Sequence, residues 1–199
     1  FSKRELKDML LETGFQEMRW YYPLPDYKFP NAVFSDEKLP TEKDIAAVKW
    51  TYPAESELIA DERKLYKEIL KNECFPFFSN SFLIEAGKNL LDSYHIKYAS
   101  EKRDYADNFR IITFLDSQNR FIKKAASDNA QKHLFEMQRY LDDIKKSGVS
   151  VVDSVMENDT LVSPIENAVS ADEQFKKYLR NSEFSDIVHM VEVLKQNLL

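Results

Sequence analysis

The chain has 199 residues, 43% hydrophobic and 13% aromatic, enough for a substantial packed core and too much for a disordered polymer. A formal charge of -6 argues against a dominant nucleic-acid or anionic-membrane surface, and three glycines leave little for a glycine-rich phosphate cradle. One cysteine, Cys74, excludes an internal disulfide, and the lack of a signal peptide or of any apolar run near ~20 residues leads to a cytoplasmic expectation.

Residues 1–13 carry Leu6, Met9, Leu10 and Thr13 at helical spacing, and Gly14 is a natural stop. "FQEMRWYY" (15–22) alternates and is aromatic, which predicts a strand. Pro23, Pro25, Pro30 and Pro40 then cut the chain into extended or turn segments. "ESELIADERKLYKEILK" places Leu58, Ile59, Leu65, Tyr66, Ile69 and Leu70 on one helical stripe. "CFPFFSNSFLIEAG" reads as a strand-like apolar run interrupted by Ser79, Asn80 and Ser81.

From about Asp92 the texture changes. "YHIKYAS", "DNFRIITFLD" and "RFIKKAA" predict three strands, the last two joined by "DSQN". "SDNAQKHLFEMQRYLDDIKK" predicts a helix with Asp128 and Gln131 as capping box and Ala130, Leu134, Met137, Leu141 and Ile144 as its seam. "VSVVDSVM" and "TLVSPI" read as two strands bridged by "ENDT", and "SADEQFKKYLR" and "SDIVHMVEVLKQNLL" as closing helices. The pattern is α+β, with a boundary between residues 89 and 93. Phe1 in place of a methionine, and a helical pattern running into the last residue, lead to the expectation that the chain is a fragment of something larger.

Few residues offer chemistry. His95, His133 and His189 have no metal-ligand spacing, so no metal site is expected, and Cys74 reads as a structural thiol rather than a nucleophile. No Gly-x-Ser-x-Gly elbow is present, and paired carboxylates such as Asp142 and Asp143 lie on a helix surface. Strand alternation puts Lys124 between Ile122 and Ala126. Such a lysine either reaches a partner, for which Glu136 on the next helix is the candidate, or snorkels to solvent. In the proline-rich stretch, Tyr22, Tyr27 and Phe29 with Asp26, together with Asn80 from "FFSNSF", either line a pocket for a hydroxylated ligand or pack onto their own domain.

The string "LKDMLLETGFQEMRWYYPLPDYKFPNAVFSDEKLP" followed by "FPFFSNSFLIEAGK" resembles the C-terminal part of a class I S-adenosylmethionine-dependent methyltransferase-like group of bacterial surface-polysaccharide biosynthesis proteins. The resemblance covers residues 1–90 and rests on "GF", "YYPLPDYKFP", Phe34-Ser35-Asp36 and "FSNSFL". It implies the closing helix and antiparallel strand pair of a methyltransferase sheet, from residues 1–13, 15–22 and 77–85, with 23–74 as a substrate-side insertion. The glycine-rich loop that holds the cofactor is absent from the chain, so S-adenosylmethionine is implied for the intact parent and not for this chain alone. Residues 93–199 resemble a kinase-like N-lobe, most closely over 93–180. That likeness implies Lys124 as a phosphate-contacting lysine, Glu136 as its partner, "LVSPIENA" as the hinge and ATP as a ligand. No His-Arg-Asp and no Asp-Phe-Gly follow, so a complete kinase is not expected.

The expectation is therefore a fragment of a bacterial, cytoplasmic transferase in surface polysaccharide or glycolipid biosynthesis. Residues 1–90 would contribute recognition of a sugar or glycolipid acceptor through Tyr22, Asp26, Tyr27, Phe29 and Asn80. The alternative is a non-catalytic protein-interaction or scaffold module. If residues 15–22 pair with 77–85 alone, an apolar face is left for missing parent domains or a second copy to cover.

Overall fold

The structure, a computed structural model, describes residues 2–48, 50, 60–101, 110–146, 148 and 151–165, with positions 176, 179–181, 185, 187–189, 191 and 192. Over these it is mixed α+β with antiparallel strand pairs. Two units are formed: Phe1–Lys102 with Phe114–Gln118, and Arg103–Thr113 with Asn119–Leu199.

In the first unit, Ser2 starts helix α1 (Lys3–Glu12) through a reciprocal cap. Its hydroxyl accepts the Glu5 N–H at 3.3 Å, and the Glu5 carboxylate accepts the Ser2 N–H at 2.7 Å. Gly14, at φ 90°, ends the helix in a conformation that side chains resist. Strand β1 (Glu17–Leu24) follows, with Trp20, Tyr22 and Leu24 buried on one face by the period-two alternation the sequence shows.

The insertion carries more regular structure than the extended or turn segments expected after Pro23, beside the helix expected over its later part. It supplies β2 (Ala32–Ser35), which pairs with β1 from Leu24↔Ala32 to Tyr21↔Ser35. It also supplies α2 (Glu42–Ala47), capped by Thr41 and Asp44, and α3 (Glu62–Lys71), capped by Asp61. The apolar run after Cys74 is not one strand. Pro76 sits in the first turn of a short helix, α4 (Phe75–Phe78), where its missing N–H is not needed, and β3 (Leu83–Gly87) comes only afterwards.

Strand β3 pairs with β1 from Glu17↔Gly87 to Tyr21↔Leu83, so β1 is flanked on both sides by strands of its own chain. A side chain at Gly87 would meet the Asn89 carbonyl and Leu91 at 2.8 Å. The apolar face of β1 is covered as well. Tyr22 packs edge-on against Phe75 and Phe82, Tyr66 of α3 stacks on Trp50, and Ile45 and Val48 are buried from the α2 segment. Each such buried ring or aliphatic side chain contributes about 1.5–3 kcal/mol. Leu65 is half exposed instead of joining Tyr66 and Ile69, while Leu58 and Ile59 lie outside the described residues.

Strand β4 (Ile96–Ser100) pairs with β2 through Ala32↔Ser100 and Val33↔Ala99. The boundary expected between 89 and 93 therefore falls inside the first unit. Strand β5 (Ile111–Asp116) divides, its Phe114–Asp116 end belonging to the first unit and Ile111–Thr113 to the second.

In the second unit, β6 (Arg120–Ala125) pairs with β8 (Thr160–Pro164), and β8 with β7 (Val155–Glu157). Asn158 and Asp159, both at positive φ, make the two-residue turn between β7 and β8, the geometry that short hairpins favour. Helix α5 (Asp128–Lys146) buries Ala130, Leu134 and Ile144. Its cap is Ser127, whose hydroxyl accepts the Ala130 N–H at 3.2 Å, and not the expected Asp128–Gln131 box. Gln131 instead donates to the Asp159 carbonyl, and Gln138 to the Ser154 carbonyl, tying one face of α5 to the hairpin. Most of the two closing helical segments, the loop after Glu101 and the end of "LVSPIENA" lie outside the described residues.

Candidate functional site

The aromatic loop joins β1 to β2. Asp26 shapes it, for its carboxylate accepts the Lys28 N–H at 2.6 Å and the Phe29 N–H at 3.1 Å, a side-chain turn that mimics a backbone one. Asn31 N–H closes the loop onto the Leu24 carbonyl at 2.7 Å, and the Asn80 amide braces it by donating to the Pro25 carbonyl at 3.2 Å. On this frame Tyr27 is 66% and Phe29 74% exposed, with Lys28 Nζ over the Tyr27 ring. Phe77 and Phe78 of α4 are exposed too, in edge contact with each other.

The five residues expected to read an acceptor thus take different parts. Tyr27 and Phe29 face solvent, whereas Asp26 and Asn80 spend their polar groups holding the loop. Tyr22 is fully buried. Its hydroxyl accepts from Lys3 Nζ at 2.9 Å and donates to Asp36, so it belongs to the core and not to a sugar platform. Burial first, and then the neighbouring Asp36 carboxylate, pushes that hydroxyl far above the usual tyrosine range.

In the second unit, Lys124 is exposed opposite Thr160 on the β6–β8 ladder, and Glu136 lies 3.7 Å from His133 on its own helix. Lys124 and Glu136 form no ion pair among the described residues. The chain's glycines do not build a phosphate cradle either. Gly14 ends α1, Gly87 closes β3 and Gly148 follows α5, so none of the three lies in a phosphate-binding loop ahead of a helix. Among the described residues, no group of three or more His, Cys, Asp or Glu side chains could hold a metal ion, and no helix is long and apolar enough to cross a membrane. Cys74 is half buried, its thiol 3.1 Å from the Asn72 carbonyl.

A second place escaped sequence reasoning. Pairing of β2 with β1 stops at Tyr21↔Ser35, because Ser35 and Lys38 exchange backbone hydrogen bonds and turn the chain away. Residues 17–20 of β1 then have a strand partner on the β3 side only. The notch left behind holds a pocket of about 100 Å³ lined by Arg19, Trp20, Tyr21, Ser35, Glu37 and His95 among others.

Glu37 meets His95 Nε2 at 2.5 Å and Lys97 Nζ at 3.3 Å, while His95 Nδ1 lies 3.1 Å from the Ser93 carbonyl. Partial burial alone would raise the Glu37 carboxyl, but the hydrogen bonds from His95 and Lys97 outweigh it and hold the group below its ordinary range. Arg19 reaches Glu85 at 3.1 Å and also the Asp92 carbonyl. The Ser35 hydroxyl is buried without a hydrogen-bond partner. Glu37 and His95 are 58 positions apart, and only the register of β2 with β4 brings them together.

No protein-family model, curated protein or solved structure matches the chain.

Proposed function

We propose that the chain is part of a bacterial transferase of the S-adenosylmethionine-dependent methyltransferase kind, acting in surface polysaccharide or glycolipid biosynthesis, and that the first unit recognises the sugar of its acceptor. One observation carries the reading: Tyr27 and Phe29 stand exposed on a loop whose backbone Asp26 and Asn80 have already fixed. Rings ordered in advance lose little entropy on binding, and the apolar face of a pyranose is a natural surface for them. The order of α1 and the antiparallel pair β1–β3 is consistent with the closing pieces of a methyltransferase sheet, and β3 lies at the outer edge of the pairs it forms. The cofactor would be held by parts of the parent outside this chain, and ATP has no place in the proposal.

The test is calorimetry of the full chain with neutral and acidic oligosaccharides from bacterial surface glycans. The Tyr27→Ala, Phe29→Ala double variant should bind roughly tenfold or more weakly with an unchanged melting temperature. Equal binding by variant and wild type, or no binding by either, overturns acceptor recognition.

A second reading, a non-catalytic interaction module, is favoured by α1. That helix has no buried residue and leaves Met9 and Leu11 about half exposed. It predicts that Met9→Lys with Leu11→Lys changes assembly with a protein partner while sugar binding is absent.

A further inference from the structure

The notch at the end of β2 lies apart from the aromatic loop. The loop leaves the hairpin beside Leu24↔Ala32, whereas the notch opens beside Tyr21↔Ser35, three residues and roughly 10 Å away along the strands. We propose that it binds a neutral, hydroxyl-rich ligand of monosaccharide size, held by the Ser35 hydroxyl and the Glu37 carboxylate against the Tyr21 ring.

Two independent features point to a ligand. Register is the first: β2 stops while β1 continues through Trp20 to Glu17, which leaves a gap one strand wide. Its volume of about 100 Å³ has room for several water-sized groups, and one bridging water does not fill it. The second is Ser35, a residue that lines the gap, is only 5% exposed and has a buried hydroxyl without a hydrogen-bond partner. A buried hydroxyl left unpaired is costly, and a ligand that bonds to it removes that cost.

The charges around the gap select against an ion. Arg19 is paired with Glu85, Glu37 with His95 and Lys97, and Asp36 with Lys3, so a charged ligand would have to break an existing pair. What remains is neutral hydrogen-bonding capacity. The carboxylate oxygens of Glu37 keep unused lone pairs that accept from ligand hydroxyls, and Ser35 can donate or accept. The Tyr21 ring suits the C–H face of a sugar ring. This assignment does not rest on the reading of the loop.

The experiment is an amide NMR titration of the full chain with methyl glucoside as the neutral probe, and with inorganic phosphate and glucuronate as charged ones. Saturable shifts at the Trp20, Ser35 and Glu37 amides are expected with the glucoside, and shifts at Tyr27 and Phe29 would report the loop separately. Ser35→Ala and Glu37→Gln, which keep the shape of the gap, should each weaken the notch response roughly three- to tenfold. The proposal is overturned if the glucoside leaves those three amides unmoved, or if both variants bind as wild type. A tighter response to phosphate or glucuronate than to the glucoside overturns it equally.

Discussion

Lys3 Nζ lies 2.7 Å from both carboxylate oxygens of Asp36, and it also donates to the Tyr22 hydroxyl and sits over the Trp20 and Tyr22 rings. This one ammonium fastens α1, a helix with no buried residue, to the β1–β2 hairpin. Lys3→Met should therefore free the helix more than it destabilises the fold. Because the pair is partly exposed, the global cost is about 1 kcal/mol. Hydrogen exchange should quicken across Leu6–Glu12 and stay unchanged in β1. Equal acceleration in both would mean that the helix and the strand open as one unit.

Tyr22→Phe separates a core role from a ligand role. The ring stays packed against Phe75 and Phe82, while the hydroxyl shared by Lys3 and Asp36 disappears. The expected result is a loss of about 1 kcal/mol in urea unfolding, with sugar binding unchanged. Weaker sugar binding at full stability would restore Tyr22 to the acceptor surface.

Much of the first unit could be read in advance, and the rest failed for local reasons. Alternation in "FQEMRWYY" announces β1 because one face of it is buried. Strand β2, by contrast, has four residues between turn segments, too few for a period to show. Thr41 and Asp44 do carry the spacing of a capping box before α2, a signal hidden by the surrounding prolines. At Phe75-Pro76, hydrophobicity suggests a strand, but proline is better placed in the first turn of a helix. The sequence left Tyr27 and Phe29 between lining a pocket and packing inward, whereas the inward turn of Tyr22 follows from β1 alternation continuing up to the first proline. The notch could not be read at all, since it exists only where one strand stops between two others.

Glu37 makes the first unit acid-sensitive. Its folded pKa lies below the unfolded one, so the unfolded chain binds more protons as the pH falls. The contribution is present above the ordinary carboxyl range and is lost as the pH drops through the depressed folded value. The side chain is 47% exposed, so solvent screening keeps the effect small. Urea midpoints of wild type and Glu37→Gln should converge between about pH 6 and about pH 3, with the wild type falling more steeply. Parallel curves would show that the His95 and Lys97 contacts do not persist in solution.

Lys124→Met tests the nucleotide reading of the second unit. The lysine is exposed and Glu136 is engaged elsewhere, so stability should change by less than about 0.5 kcal/mol. ATP should leave the melting temperature of wild type and variant alike unmoved. A rise with ATP in wild type that the variant lacks would bring Lys124 back as a phosphate contact.

Tyr66 contributes to an alkaline loss of stability. It is 3% exposed, stacked on Trp50 and tilted against Phe75. Burial, and after it the Glu62 carboxylate, pushes its hydroxyl up to about 12. Above pH ~10 the unfolded chain can release this proton while the folded chain retains it, so stability falls as pH rises from there towards the folded value. The full difference is roughly 2–3 kcal/mol, and Tyr66→Phe should remove that part of the slope. Urea midpoints between about pH 9 and about pH 11.5 read it directly, with phenolate absorbance as the second signal. Were Tyr66→Phe to lose stability as steeply as wild type, the alkaline loss would belong to Tyr21 and Tyr22, whose hydroxyls are also raised.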